Sequence, residues 1–448
     1  MPYSVAFVSG NDRIQPMKYR TIDNACSKSG RTSGVLRSVF ALLMSGFICH
    51  PLFADWPGLL GVHRDGKADA SCQLPEKLAD SLEPLWSIPV GQGYAGPAIA
   101  GNQLAFYERQ GNTDRVRLLN AATGEEIWSR DIPAKYQGGV DADKGPRCVP
   151  TITASGILVY SAAGELTLLD RQQGTIRWTR SLKQEFQSED GYFGAGSSPL
   201  VVGDRAIINV GGKRASVVCV SLPDGKDVWT AGQGDASYAS PIYLDSKKVP
   251  LISSPLVVVP TRTTTFGLDI QSGKELWKFS FGQRGPTVNA ATPIVTQDGL
   301  LFMTASYNIG SQLLRVDSAS AKVIRKGEEL SSQYATPISV RGYLFGCDGR
   351  EDQGGAVYRC WNEQSGELRW ERAGMPICHT IGVEDRVLVF GIDGTLWCLD
   401  ANASGFAPLW QSALPQGVYR AVPALSDNLL FVRSSNGADS LLSCFELK

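Results

Sequence analysis

The chain has 448 residues, 43% hydrophobic and 19% charged, with 43 Lys and Arg against 44 Asp and Glu. A formal charge of −1 gives no electrostatic case for nucleic acid, and 10 cysteines without a Cys-x-x-Cys leave little for a zinc site. Only two of the three histidines, His63 and His379, lie beyond residue 54, which is poor material for a histidine metal centre or a Ser-His-Asp relay.

The first 54 residues read as a signal peptide or N-terminal targeting segment. Arg31 and Arg37 precede an apolar run from Val39 to Cys49, and Leu52-Phe-Ala54 ends on a small residue before Asp55. Basic, apolar and cleavable segments in that order mark a secretory signal. The run is about a dozen residues, short of the roughly 20 that a membrane span needs. Met17 offers an alternative start, and a disordered tail is the plainer alternative. The expectation is an exported protein, periplasmic or extracellular, with no transmembrane segment in the mature chain. Residues 55–82, with Trp56-Pro57, Arg64-Asp-Gly66 and Leu74-Pro75, are expected to form an extended lead-in strap across one face.

From residue 83 one phrase recurs. A tryptophan-type position falls at Trp86, Trp128, Trp178, Trp229, Trp277, Arg325, Trp370 and Trp410, at intervals of 40 to 51 residues. Gly124, Gly174, Gly225, Gly273 and Gly366 each stand four residues before theirs, Gly405 stands five before, and Ala321 with Arg325 is a degenerate copy. The period suits a four-stranded blade of a β-propeller. Short β-branched runs such as Gly156-Ile-Leu-Val-Tyr160 support strands over helices. Each unit opens on a small residue and proline, as in Ser198-Pro199, Ser240-Pro241, Thr292-Pro293 and Thr336-Pro337. Proline is tolerated at the first residue of a strand. The third strand ends on an Asp or Asn, as at Leu169-Asp170 and Leu268-Asp269, and glycine closes the turn. The tryptophans are read as packing between blades, not as a cofactor stack.

The count closes a ring. Strand 83–90 precedes any partner, and the last set of strands, 421–447, lacks a fourth. Pairing the two yields an all-β, eight-bladed propeller of four-stranded antiparallel blades, a single domain over 83–448, and removes the exposed edges.

Cys219, Cys360, Cys398 and Cys444 occupy one equivalent site, two residues before the third-strand Asp position. Equivalent sites in sheets about 10 Å apart cannot be bridged, so these are read as small buried hydrophobes. Cys347 and Cys360 flank one hairpin and are a candidate pair. His379 replaces the inner-strand proline of the seventh unit and is read as a hydrogen-bonded strand residue rather than a catalyst.

With the small-Pro strand, the Leu-Asp turn and the Gly-x-x-x-Trp strand quoted, the chain over about 83–448 resembles the pyrroloquinoline-quinone (PQQ) repeat family. Asp55-Trp-Pro-Gly58 through Arg64-Asp-Gly66 is similar to the lead-in of exported PQQ-like propellers of planctomycete-type bacteria. That resemblance implies one of three roles: a quinoprotein dehydrogenase, a non-catalytic scaffold like the propeller lipoprotein of the outer-membrane β-barrel assembly machine, or a sensor attached to a kinase. Quinoprotein alcohol dehydrogenases carry two adjacent cysteines over the quinone, and no Cys-Cys occurs here. Asp141, Asp143, Glu351 and Asp352 have no defined calcium-ligand spacing. Kinase motifs are absent from the sequence. A non-catalytic scaffold without cofactor is therefore expected, acting as a monomer on a protein or polysaccharide partner. The alternative is a PQQ- and calcium-dependent alcohol or sugar dehydrogenase with atypical contacts.

Loops entering the first strands and loops joining second to third strands share one face of such a ring. They supply Tyr94, Tyr192, Tyr238, Tyr334, Tyr419, Arg420, Arg214 and Arg262, with His379 near by. Tyrosine with scattered arginine suits a ligand face. The same tyrosines could instead plug the axial channel, and the residues leave that choice open.

Overall fold

The computed structural model describes residues 55–448 except 190, 286, 329, 403, 437 and 438. The expected signal segment lies outside the described residues. Among those described, 32 strands form eight antiparallel four-stranded sheets, and the described residues make one compact unit. Blades 1 to 7 follow in chain order from Ala98–Ala100 to Pro408–Ala413. Blade 8 joins Ala424–Ser426, Leu429–Asn436 and Asp439–Glu446 to the strand Trp86–Val90, in a register running from Trp86 opposite Cys444 to Val90 opposite Ser440. The ring is thus sealed by its first and last strands, as the strand count requires.

The blades hold together through one contact repeated with variations. A bulge between third and fourth strands shifts the register beside the tryptophan-type residue in each of blades 1 to 7. The indole then leans onto the next blade's turn glycine. Trp178 covers Gly225, whose φ of 70° already demands glycine, and a Cβ there would sit 2.8 Å from Trp178 Cδ2. Gly124, Gly174 and Gly273 receive Trp86, Trp128 and Trp229 in the same way. The indole N–H donates to a backbone carbonyl of that next turn: Trp178 Nε1 to Leu222 O at 2.7 Å, Trp229 Nε1 to Ile270 O at 3.0 Å. In the degenerate blade 5, the Arg325 guanidinium lies over Gly366 in place of an indole. Gly405 does no such work. Its longer turn instead brings Phe406 edge-on to Trp370 at 5.9 Å.

The register explains the cysteines. Cys219, Cys360, Cys398 and Cys444 lie directly opposite Trp229, Trp370, Trp410 and Trp86. A small side chain under the indole leaves room for the ring. All eight described cysteines are buried and unbridged. Cys347 faces Tyr358 while Cys360 faces Phe345, so the two are diagonal neighbours, about 7–8 Å apart in an ideal ladder and beyond disulfide reach.

In four units the small residue before the inner-strand proline (Ser198, Ser240, Thr292 or Thr336) has a job visible only in the ring. Its hydroxyl accepts the backbone N–H of the equivalent residue one blade back: Val149 N to Ser198 Oγ at 3.0 Å, Ser198 N to Ser240 Oγ at 2.9 Å, Ser240 N to Thr292 Oγ1 at 3.4 Å, Thr292 N to Thr336 Oγ1 at 3.0 Å. Where blade 8 meets blade 1, Gly96 packs so closely on the Val422 carbonyl that a Cβ has no room.

The lead-in segment divides in two. Residues 56–67 cross the axis, pairing Trp56 with Ile99 of blade 1 and Lys67 with Gly382 of blade 7. At mid-crossing Arg64 is buried, donating to Ser198 O at 3.1 Å, Pro241 O at 2.9 Å and Pro199 O. This arginine ties the lead-in to the starts of the inner strands of blades 3 and 4. Residues 72–85 then follow the seam between blades 7 and 8. Blade 8 has no turn between third and fourth strands, since its fourth strand comes from the other end of the chain. Pro75 O stands in for that turn and accepts Trp410 Nε1 at 2.9 Å, while Leu82 and Leu85 bond to Ala413 O and Cys444 O.

Candidate functional site: a blind bowl on the axis

The connections entering the inner strands enclose a bowl of about 640 Å³. Leu59, Val149 and Val422 lie low in it, with the hydroxyls of Ser198, Ser240, Thr292 and Thr336. The walls carry Tyr94, Phe193, Tyr238 and Tyr334, and Val140, 74% exposed, stands at the lip.

One wall is a hydrogen-bonded belt that joins four connections. Tyr94 Oη donates to Asp141 Oδ2 at 2.6 Å, and Arg420 Nη1 donates to Tyr94 Oη at 3.4 Å. Arg420 Nε pairs with Glu351 Oε1, and Tyr334 Oη donates to Glu351 Oε2 at 2.9 Å. Arg147 lies over the Tyr94 ring at 4.9 Å and pairs with Asp143 at 2.7 Å. Burial, together with the Asp141 carboxylate, pushes the Tyr94 phenol up to about 12. Burial and Glu351 push Tyr334 up further. Asp141 is held below the usual range because the Tyr94 hydroxyl, the Asp143 N–H, Arg147 and Arg420 outweigh its burial. Arg147 and Arg420 are paired with Asp143 and Glu351 and Asp141 is held by the Tyr94 hydroxyl, so the belt sets one net negative charge beside apolar surface and neutral hydroxyls.

The opposite wall is set by close packing. Gly191 and Gly196 both press on Tyr238, where a Cβ would lie 2.6 Å from its Oη or its Cδ1. Tyr238 Oη accepts the Phe193 N–H at 3.0 Å, and the two rings meet edge to face at 5.8 Å. Beyond Tyr238 and Val140 a second hollow of about 780 Å³ continues toward the rim. Tyr192, Arg262, Arg284, Lys183 and a glycine-rich backbone line it, with Arg262 over the Tyr192 ring at 5.5 Å. Asn209 sits in its floor, giving a hydrogen bond to Pro260 O at 2.7 Å while its buried Oδ1 has no partner.

Of the residues expected on this face, Tyr94, Tyr238, Tyr334 and Arg420 converge in the bowl, and Tyr192 and Arg262 line the adjoining hollow. His379 lies below the surface, its Nε2 3.0 Å from Arg420 O and its ring 5.9 Å from that of Tyr334. Burial drops its pKa to about 4 against the opposing Arg420 carbonyl and Glu351. Arg214 lines neither hollow and donates to Glu185 O at 3.2 Å. Tyr419 is not on the face. It is 2% exposed, packed on Phe390 at 5.4 Å, with its hydroxyl on Pro415 O, because Gly394 leaves space for its ring. Sequence reasoning missed Arg64 and Arg147. An arginine in a lead-in or a loop carries no local sign of the partners it will meet from other blades.

The donor set does not suit a quinone held by calcium. Among the described residues no three His, Cys, Asp or Glu side chains group as metal ligands. Asp141 and Glu351 are engaged by phenols and Arg420, Asp352 pairs with Arg350, and Asp143 is occupied by the backbone N–H groups of Gly93 and Gly145 and by Arg147. No tryptophan or cysteine lines the bowl.

Comparison with known proteins agrees on the architecture. The outer membrane protein assembly factor BamB of Yersinia pestis is 24% identical over 321 residues, covering 60% of this chain and 77% of that protein. BamB of Moranella endobia is 21% identical over 273 residues, 49% of this chain and 66% of that one. Among solved structures, BamB from Moraxella catarrhalis aligns with a TM-score of 0.57 at 19% identity, over 81% of this chain and 99% of its own. The quinohemoprotein alcohol dehydrogenase ADHIIG of Pseudomonas putida HK5 aligns at 0.64 and 12% identity, over 88% of this chain and 80% of its own, a likeness of fold alone. A family model described as outer membrane protein assembly factor BamB matches residues 112–372, more than half of the chain, and the protein belongs to that PQQ-repeat propeller family.

Proposed function

We propose that this chain is an exported, non-catalytic scaffold of the cell envelope that acts as a monomer and seats a segment of a partner protein in its bowl. The observation that carries the reading is the bowl's construction. It is aromatic-walled, its two arginines are paired with carboxylates and Leu59 of the lead-in lies among its low residues, so it can receive a protruding apolar side chain or chain end. The adjoining hollow, with Tyr192, Arg262 and exposed glycine backbone, extends the surface to the size of an extended peptide. Tyrosine and arginine at the centre of such a surface are the residue types that carry most binding energy. Support also comes from the relatives named as assembly factors, whereas the likeness to dehydrogenases is one of fold.

The test is capture from envelope extract on immobilised protein. The Tyr238→Ala/Tyr334→Ala double variant should lose at least ten-fold of the captured material, while Arg214→Ala, outside both hollows, should keep it. Equal capture by the double variant would refute the bowl as the binding face. Capture that survives protease treatment of the extract would instead identify a polysaccharide.

A further inference from the structure

Two buried thiols meet across the seam between blades 6 and 7. Cys347 lies in the second strand of blade 6, Tyr343–Arg350, and Cys378 opens the innermost strand of blade 7, Cys378–Val383. The Cys378 N–H points at Cys347 Sγ at 3.4 Å. Both thiols approach one carbonyl, Pro376 O, at 3.8 Å from Cys347 and 3.1 Å from Cys378. Among the described cysteines this is the one such encounter. Four others sit singly beneath indoles, Cys72 bonds to Asp427 O, and Cys148 bonds to Ser197 O.

We propose that Cys347 and Cys378 are a disulfide-forming pair that staples blade 6 to blade 7. The argument is independent of what the bowl binds. Two thiols that share one acceptor, with the backbone N–H of one residue on the sulfur of the other, have the proximity across two fixed strands that Cys347 and Cys360 lack. Both cysteines belong to a buried cluster with Ala335, Ile338, Tyr358, Met375 and Ile377. The bridge would close a loop of about 30 residues and limit the unfolded chain accordingly. Tyr334, Glu351 and His379 ride on the same two blades, so the staple would also brace one wall of the bowl.

The chemistry is a dithiol–disulfide exchange with a small oxidised disulfide such as glutathione disulfide. One thiolate attacks the donor sulfur and releases one reduced thiol. The second protein thiolate displaces the other, forming the Cys347–Cys378 bond. Two protein thiols are oxidised, the donor S–S bond is reduced, and the two protons end on the released thiols. Both protein thiols are 2% exposed or less, so closure should be slow in the folded ring and fast while the chain folds.

The full chain should be unfolded in reductant, refolded with reduced and oxidised glutathione, quenched with N-ethylmaleimide, digested without reduction and mapped by mass spectrometry. The expected result is a Cys347–Cys378 linked peptide, with Cys219, Cys360, Cys398 and Cys444 alkylated. The oxidised protein should melt a few degrees above the reduced one, a difference that Cys378→Ala abolishes. Alkylation of both Cys347 and Cys378, or linkage of either to another cysteine, would overturn the proposal. The wild-type map alone decides this if the variant does not fold.

Discussion

Acid should loosen this propeller at one identifiable point. His379 is 4% exposed, its Nε2–H donates to Arg420 O, and burial lowers its pKa from 6.5 to about 4. The folded ring therefore prefers the neutral imidazole. The unfolded chain takes up a proton near pH 6.5, whereas the folded one does so only near pH 4. The stabilisation is complete above the unfolded value and drains away as pH falls from about 6.5 to about 4. The shift corresponds to about 3 kcal/mol in all, of which about 2 kcal/mol should be gone by pH 4.5. Urea unfolding of wild type and His379→Gln at pH 7 and pH 4.5 isolates the effect, because glutamine does not titrate and other acid-sensitive groups cancel. The wild type should lose about 2 kcal/mol more than the variant between the two pH values. Parallel losses would show that the imidazole is hydrated or charged in the fold, and would sink the argument.

Other perturbations probe separate parts of the ring. Gly225→Ala forces a side chain both into a φ of 70° and against Trp178, and should cost about 2–4 kcal/mol in urea unfolding, well above an ordinary surface change. Arg64→Met leaves the carbonyls of Ser198, Pro199 and Pro241 without their donor and should lower the melting temperature. An unchanged melting temperature would mean that shedding a buried charge offsets the lost bonds. Trp410→Phe removes the bond to Pro75 O at a cost of about 1 kcal/mol and should speed hydrogen exchange in residues 72–82, with no such change at the blade 3 seam. Titration with PQQ and calcium should give no bound-quinone spectrum and no dye-linked alcohol oxidation, and either signal would revive the dehydrogenase reading.

Repetition made the fold legible. A tryptophan and a turn glycine returning every 40 to 51 residues can bury themselves only against the next copy, so period and count together dictate a closed ring of eight. The unpaired strand at Trp86 dictated where the ring closes. Substitutions within the pattern were less legible. Nothing local announces that Arg325 would lie over Gly366, that Phe406 would answer Trp370, or that the cysteines sit beneath indoles, because each partner comes from another strand or another blade.

The bowl was half legible. Loop tyrosines at equivalent places share a face by symmetry, which gave Tyr94, Tyr238 and Tyr334. Symmetry does not say which rings stand and which sink. Tyr419 dropped into space left by Gly394, and Arg64 reached the inner strands from a segment outside the repeat. The sequence by itself determined the number of blades and the mode of closure, since both follow from period and hydrogen-bond pairing. Only the tertiary structure decided where Arg64 is buried, which carboxylates pair with the arginines of the belt and which two thiols share an acceptor. Those outcomes depend on distances between side chains far apart in the chain, and no local pattern encodes them.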